Sequence, residues 1–294
     1  MEELARFAFW SGLTASGLAV ALHWAYLVGA LAPKRSAAGL TEAGMVVVSN
    51  DSAPGPNLRR AATSAAWLSF VVLTVSLIAR TIVLGHAPIS NMYEYSTAFG
   101  WAVTGYALAF ETRLRQAWIG AAALPVAFVM LLVASFFPSA PEPLQPALQN
   151  SRMLTIHVSM MVLSYSAFAI AFAASCLYVV QGGRRRFDSL PTGKSLDEVA
   201  HTAVLIGFPM LALGIALGAW WANDAWGRYW GWDPKETSAL ATWLLFAAYL
   251  HARTVRAWRG QRSSWLVIIG FSAVIFTYYA VNLWVAGLHS YAGV

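Results

Sequence analysis

The sequence is poor in charged residues and almost without cysteine, and both shortages exclude classes of protein. Only 11% of the 294 residues are charged, and the mean hydropathy is +0.58, whereas soluble domains carry about 25% charge. The single cysteine, Cys176, excludes a disulfide framework and a CxxC redox pair. The 14 Trp, 11 Tyr and 15 Phe residues exclude intrinsic disorder. This composition is typical of an integral membrane protein.

Long apolar runs take the place of the missing charge. Because these runs are continuous, they exclude a transmembrane β-barrel, whose strands alternate in polarity. At about 20 residues per crossing, the sequence predicts an all-α integral membrane protein, with residues 1–294 forming a single polytopic membrane domain. Its bundle has about eight transmembrane helices, near residues 7–32, 61–84, 95–110, 116–137, 152–180, 201–221, 237–257 and 264–287.

The basic residues orient this bundle. Cytoplasmic loops of membrane proteins are enriched in Lys and Arg, and the same enrichment accounts for the net charge of +6. We therefore expect contact with membrane lipid, no nucleic-acid partner and both termini extracytoplasmic. Fourteen of the 19 basic residues fall in alternate loops, namely Lys34, Arg35, Arg59, Arg60, Arg113, Arg115, Arg184, Arg185, Arg186, Lys194, Arg253, Arg256, Arg259 and Arg262.

Two segments on the predicted cytoplasmic side are connectors. Residues 36–60 are rich in Ala, Gly, Ser and Pro and lack a helical stripe, which predicts a cytoplasmic linker. Residues 181–200 contain glycines, three arginines and a turn at Pro191, which predict a cytoplasmic loop.

A tryptophan-rich segment is predicted to form an external loop between the sixth and seventh helices. Residues 220–236 read WWANDAWGRYWGWDPKE and hold five tryptophans. An interfacial aromatic belt explains one or two tryptophans per helix end, so five favour a binding surface for a large planar ligand. Arg228 and Lys235 could meet acidic groups on the rim of that ligand.

The six histidines fall at two depths. His86, His157 and His289 lie at the predicted outer face, whereas the other three lie inward, namely His23, His201 and His251. A histidine near a helix end is often only a hydrogen-bonded interfacial residue, but outer imidazoles beside a planar-ligand surface suggest haem. Asp233 or Glu236 could fix an imidazole tautomer. His251 lies about 21 Å along the helix from Thr237, so it would serve a second macrocycle, which His23 could oppose.

Several stretches resemble the CcsA/ResC family, the integral membrane subunits of the System II cytochrome c synthase. The run WGRYWGWDPKETSALATWLLFAAYLHAR is similar to the WWD motif of that family, although Ser238 stands where relatives commonly have tryptophan. GHAPISNMYEYS, LTIHVSMMVLSYS and GLHSY are also similar. The resemblance implies cytochrome c-type biogenesis in a bacterial plasma membrane or a thylakoid-type membrane, with the active face extracytoplasmic.

The resemblance also implies two haem b sites. His157 and His289 match the axial ligands of an external haem, and His251 matches a ligand of an intramembrane haem, whose opposite ligand comes from a CcsB/ResB-type subunit. His86 and His23 remain open as further ligands. The WWD haem-binding loop, residues 220–236, then contributes Trp220, Trp221, Trp226, Arg228, Tyr229, Trp230, Trp232, Asp233, Pro234, Lys235 and Glu236.

The implied activity is that of a holocytochrome c synthase. Haem moves from the inner to the external site and is joined by thioethers to the CxxCH motif of apocytochrome c, whose cysteines a thioredoxin-like reductant keeps reduced. No residue is a certain catalyst; Trp226, Trp230, Trp232 and Asp233 would position the haem, because the substrate thiolate is the nucleophile.

Three alternatives compete with this interpretation. A haem-delivery protein would pass haem to a separate carrier without forming a thioether, but such relatives generally have about six spans. A small-solute secondary transporter would have repeated halves, and the sequence has no internal repeat. A structural subunit of a respiratory complex would use the aromatic residues as membrane anchors.

Overall fold

The computed structural model describes residues 1–31, 36–41, 44–49, 55–141, 151–182, 190–255 and 258–289. A two-stranded antiparallel hairpin, β1 (Ser36–Thr41) and β2 (Gly44–Ser49), follows the first helix. The last long helix continues through a π-helical turn, Phe276–Ala280, into the short α9, Val281–Leu283. Within these ranges the long helices are α1 (Glu2–Leu31), α2 (Pro56–Leu84), α3 (Met92–Leu114), α4 (Trp118–Ala134), α5 (Ser151–Gln181), α6 (Gly193–Trp226), α7 (Pro234–Thr254) and α8 (Gln261–Ile275).

The eight predicted helices are present, and the predicted multi-pass membrane protein is confirmed. Five helices are long and apolar enough to cross a membrane: α1, α2, α5, α6 and α8 with its extension to Leu283. Helix α4 is apolar but has only 17 residues. Helices α3 and α7 fall short of the apolar character that these five share.

Three predicted segments have other boundaries in the structure. The predicted linker, 36–60, contains the β-hairpin and the first turn of α2. The predicted loop 181–200 ends early because α6 begins at Gly193, where the Thr192 side chain caps it by accepting from the amide of Ser195. The predicted loop 220–236 is largely helical, because α6 ends only at Gly227, which has a left-handed φ of 72°.

Neighbouring helices pack as antiparallel pairs, and glycines bring α6 close to α5. A Cβ atom at Gly207 would lie 2.7 Å from the Phe168 ring, and one at Gly214 would lie 2.7 Å from the Met161 sulfur. The Ser164 hydroxyl donates to the Gly207 carbonyl at 2.8 Å. Small residues of this kind allow close backbone approach between membrane helices.

Two buried carboxylates on α3 are paired with groups of the α1–α2 pair. Glu94 lies 2.9 Å from the Arg80 guanidinium. Glu111 lies 3.0 Å from Nε2 of His23 and accepts from the Thr63 hydroxyl at 2.7 Å. The other ring nitrogen of His23, Nδ1, lies 2.8 Å from the carbonyl of Ala19. These contacts explain how α3 carries charge inside a helical bundle.

Replacing Glu111 with alanine should destabilise the fold, because His23 and Thr63 would lose a buried partner. Removing one member of a buried pair costs about 3 kcal/mol, which we expect to appear as a lower thermal unfolding midpoint of the purified protein. The matched control is Glu198→Ala, since the Glu198–Lys194 pair is largely exposed. Equal midpoints for both variants would contradict a stabilising role for Glu111.

Candidate functional site

A pocket opens at the end of the bundle where α6 meets α7. We call this end, which carries the five tryptophans of residues 220–236, the tryptophan end. Together with the open space at its mouth, the pocket encloses about 970 Å³. Most of its lining is apolar or aromatic. The lining comprises Tyr95, Leu154, His157, Val158, Met161, Val162, Tyr165, Ile215, Gly218, Ala219, Trp221, Trp230, Lys235, Glu236, Ala239, Thr277, Tyr278, Asn282 and His289.

His157 reaches the pocket from α5, near the start of that helix. Its Nδ1 donates to the Gly214 carbonyl of α6 at 2.7 Å, so the lone pair is on Nε2. A Cβ atom at Gly218 would lie 2.6 Å from Cε1 of His157, so glycine makes room for the ring. Two helices thus fix the orientation of this imidazole.

His289 lines the same pocket from the segment that follows α9. Its Nδ1 donates to the Asp233 carboxylate at 2.7 Å, which places the lone pair on Nε2. Asp233 also accepts from the backbone amides of Leu288 at 2.6 Å and Lys235 at 3.1 Å. The residue before α7 therefore orients an imidazole far away in sequence.

Burial and hydrogen bonding together set the protonation states of His289 and Asp233. It lowers the pKa of His289 below its ordinary value, against the opposing effect of the Asp233 carboxylate. Burial alone would raise the pKa of Asp233, but the hydrogen bonds from His289, Leu288 and Lys235 bring it below its ordinary value. At neutral pH the carboxylate is thus ionised and the imidazole is neutral, as a metal ligand must be.

The sequence DPKE closes the turn between α6 and α7. Asp233 is the N-cap of α7, Pro234 is its first residue, and Glu236 completes a capping box. The Glu236 carboxylate accepts from the amides of Gly231 at 2.9 Å and Asp233 at 3.1 Å. Trp232 has a left-handed φ of 55°, which these bonds hold in place. The turn is therefore rigid where it borders the pocket.

The five tryptophans have different environments. Trp221, which is buried, and Trp230 line the pocket. Trp226 packs against both Trp221, at a ring distance of 4.7 Å, and His289, at 4.9 Å. Trp220 and Trp232 are 58% and 68% exposed, as interfacial residues would be. The segment thus contains tryptophans in the pocket wall and tryptophans exposed as those of an interfacial belt would be.

Two other residues of the predicted binding loop lie outside the pocket lining. Tyr229 is 62% exposed, and Arg228 is exposed as well. Lys235, the other cation of the loop, lines the pocket.

The remaining histidines lie outside the pocket lining. Both ring nitrogens of His23 are engaged by Ala19 and Glu111, which favours a structural role. The His86 ring contacts the adjacent Ala87 carbonyl at 2.8 Å. His251 is exposed near the far end of α7.

The sequence analysis missed the tyrosines of the pocket. Tyr165 lies on the same face of α5 as His157 and Met161, at intervals of four residues, and this spacing could have revealed it. Among the described residues, the buried Tyr165 hydroxyl and the buried indole N–H of Trp221 have no hydrogen-bond partner. Five further buried polar atoms of the described residues, all outside the pocket lining, also lack a partner. In the pocket, the two donors are open to hydrogen-bond acceptors on a ligand.

The fold and the pocket together define a polytopic helical membrane protein with a pocket whose lining includes two oriented imidazoles. The family model "Cytochrome C assembly protein" matches residues 89–289. Curated relatives include "Cytochrome c biogenesis protein CcsA" of Pyropia yezoensis, 35% identical over 80% of this chain and 88% of that protein. The CcsA protein of Gloeobacter violaceus is 34% identical over 80% of this chain and 87% of its own length.

The chain therefore belongs to the cytochrome c assembly protein family, in its CcsA branch. The resemblance inferred from the sequence is confirmed, and so is the predicted function in cytochrome c biogenesis. A solved structure, "Cytochrome c Heme Lyase CcmF", has the same fold, with a TM-score of 0.68 at 20% sequence identity. It is matched by 95% of this chain, which spans 46% of that longer one.

Proposed function

We propose that the pocket binds haem b between His157 and His289 and presents it for thioether attachment to the CxxCH motif of apocytochrome c. The observation that carries this proposal is that both imidazoles line one pocket, with Nδ1 of each held by a hydrogen bond. Haem supplies the iron that the imidazoles ligate and the vinyl groups that accept the thiols.

The residues of the pocket fit such a group. Histidine ligands usually donate their other ring N–H to a carboxylate or a backbone carbonyl, and Asp233 and Gly214 are partners of these two kinds. The apolar and aromatic lining suits a macrocycle. The unpaired donors of Tyr165 and Trp221 provide further polar contacts.

The side chains of this protein would bind and orient the haem and shield it from water, but they would not react with it. The nucleophile is the substrate's own thiolate, which needs reduced cysteines and therefore a thioredoxin-like reductant. His157 and His289 hold the haem, and Asp233 acts as a positioning residue through His289. Trp226 and Trp230 would limit water around the site, and Trp232 supports Trp230 by an edge-on ring contact at 5.7 Å.

The tryptophan end is proposed to be extracytoplasmic, in a bacterial plasma membrane or a thylakoid-type membrane. The supporting observation is the enrichment of Lys and Arg at the other end of the helices. A topology reporter fused after Arg186 should then be cytoplasmic, and one inserted within residues 138–150 external. The reverse result would invert the proposed orientation.

A second, intramembrane haem is proposed at His251, with its opposite ligand from a CcsB/ResB-type subunit. His251 is exposed on α7, about 21 Å along the helix from Thr237, and the contacts of His23 leave it poorly suited as a partner within the chain.

Replacing His251 with alanine should deplete only that second haem. We expect the haem content of the complex with its partner subunit to fall by about half, with the thermal midpoint unchanged because this side chain is exposed. Pyridine haemochrome absorbance per complex measures the content, and His201→Ala is the control. Full haem content in His251→Ala would place the second site elsewhere.

Co-expression tests the proposal as a whole. The chain, a CcsB/ResB-type subunit and a reporter with one CxxCH motif are produced in cells lacking their own cytochrome c assembly. We expect covalent haem on the reporter only when both membrane proteins are present. A complex with bound haem but no covalent product would instead indicate haem delivery to a separate carrier, and a colourless complex would contradict haem binding altogether.

A further inference from the structure

Lys235 is a cation in the wall of an otherwise largely apolar pocket. Its ammonium group donates to Oδ1 of Asn282 at 2.6 Å and lies 6.0 Å from the centroid of the Tyr95 ring. An ammonium has three N–H donors, and Asn282 accepts only one of them. A cation in an apolar wall raises the free energy of the folded protein unless its remaining N–H donors are also hydrogen-bonded.

Asn282 holds this lysine in a fixed direction. Its side-chain N–H donates to the carbonyl of Tyr278, so its Oδ1 faces Lys235. Tyr278 belongs to the π-helical turn Phe276–Ala280, which inserts an additional residue into the helix. Such turns are frequent at functional sites, and this one brings Thr277, Tyr278 and Asn282 to the pocket.

The neighbouring carboxylates are engaged elsewhere. The Glu236 carboxylate accepts from the amides of Gly231 and Asp233. Asp233 accepts from His289, from the amide of Leu288 and from the backbone of Lys235. Among the described residues, neither carboxylate forms a salt bridge with the Lys235 ammonium, whose side-chain hydrogen bond goes to Asn282. A ligand carboxylate would therefore complement this ammonium.

We propose that Lys235, positioned by Asn282, binds a carboxylate of the porphyrin and thereby determines which edge of the ring faces α7. This inference rests on the proposed function. It adds the rotational orientation of the porphyrin in the pocket, which two histidine ligands alone do not determine. The apolar lining from α5 and α6, which includes Val158, Met161 and Ile215, would contact the half of the porphyrin that carries the vinyl groups. The pocket thereby distinguishes porphyrins with free carboxylates from their esters.

The test compares iron protoporphyrin IX with its dimethyl ester. Full-length protein from cells unable to make haem is placed in lipid nanodiscs and titrated with each compound, and the Soret band reports binding. We expect the wild type to bind the free acid about tenfold more tightly than the ester, because charge-assisted hydrogen bonds are the stronger kind. In Lys235→Met this preference should fall to near one, and Lys235→Arg should retain most of it.

Three comparisons make the result decisive. Arg152→Met removes an exposed cation at the same end of the bundle and should keep the wild-type preference. Asn282→Leu should lower the preference partly, since the lysine would lose its fixed position. A preference unchanged in Lys235→Met, or lost in Arg228→Met instead, would overturn the assignment. If neither porphyrin shifts the Soret band of the wild type, the proposed haem site itself fails.

Discussion

Cells producing His157→Ala or His289→Ala are expected to attach at least about tenfold less haem to a CxxCH reporter than cells producing the wild type. Each substitution removes an Nε2 lone pair from the pocket, and the loss should be no smaller than the about 10- to 100-fold effect of removing only a supporting partner of a metal ligand. Neither ring lies in the buried core of the bundle, so the variants should still fold.

Added imidazole provides the sharper measurement for these two variants. It can enter the space left by the missing ring and ligate the iron, so both the visible spectrum and the covalent product should recover in part. His86→Ala is the matched control, because that histidine lies at the same end of the chain's fold but outside the pocket lining. Normal spectra and product in both alanine variants would disprove the ligand assignment.

Replacing Asp233 with asparagine is expected to lower haem attachment by about 10- to 100-fold, the range found for partners of metal-ligating histidines. Asparagine is as favourable as aspartate at the start of a helix, and the bond from the amide of residue 233 to Glu236 is kept, so α7 should stay folded. If the amide oxygen keeps the Leu288 bond of Oδ1, the new NH₂ group takes the place of Oδ2 and faces both Nδ1 of His289 and the Lys235 amide, which loses its cap bond. It would favour the tautomer with the proton on Nε2, which cannot bind iron.

A positioning role for Asp233 predicts a result that a purely structural role does not. The thermal midpoint of Asp233→Asn should stay near that of the wild type while the Soret band shifts and imidazole restores part of the product. Asp224→Asn, which alters an exposed carboxylate in the last turns of α6, should behave as the wild type does. A large fall in the midpoint without a spectral change would show that Asp233 serves the fold alone.

The helices could be predicted from the sequence because apolar runs of about 20 residues have few alternatives in a membrane. The residues at which the helices begin and end could not be predicted in the same way. Helix α6 extends at both ends beyond its predicted span, because polar residues near the interface remain helical until a cap or a left-handed glycine stops them. The β1–β2 hairpin was missed because its residues lack the alternation of polarity that predicts strands.

The site was predictable in its residue types but not in its pairings. The sequence left open whether Asp233 or Glu236 would orient an imidazole, since 56 positions separate Asp233 from His289 and only the fold brings them together. The spacing of the tryptophans does not reveal that Trp221 and Trp230 line the pocket while Trp220 and Trp232 are exposed.

The pairing of Glu94 with Arg80 and of Glu111 with His23 has a consequence for how homologous chains can be recombined. The matched family region begins at residue 89, so both carboxylates belong to it, whereas their partners lie on α1 and α2. A chimaera that takes its first two helices from a relative would assemble only if the donor supplies a cation at position 80 and an imidazole at position 23. Through these two pairs, the helices before residue 89 hold in place the helix that carries Tyr95 to the pocket wall.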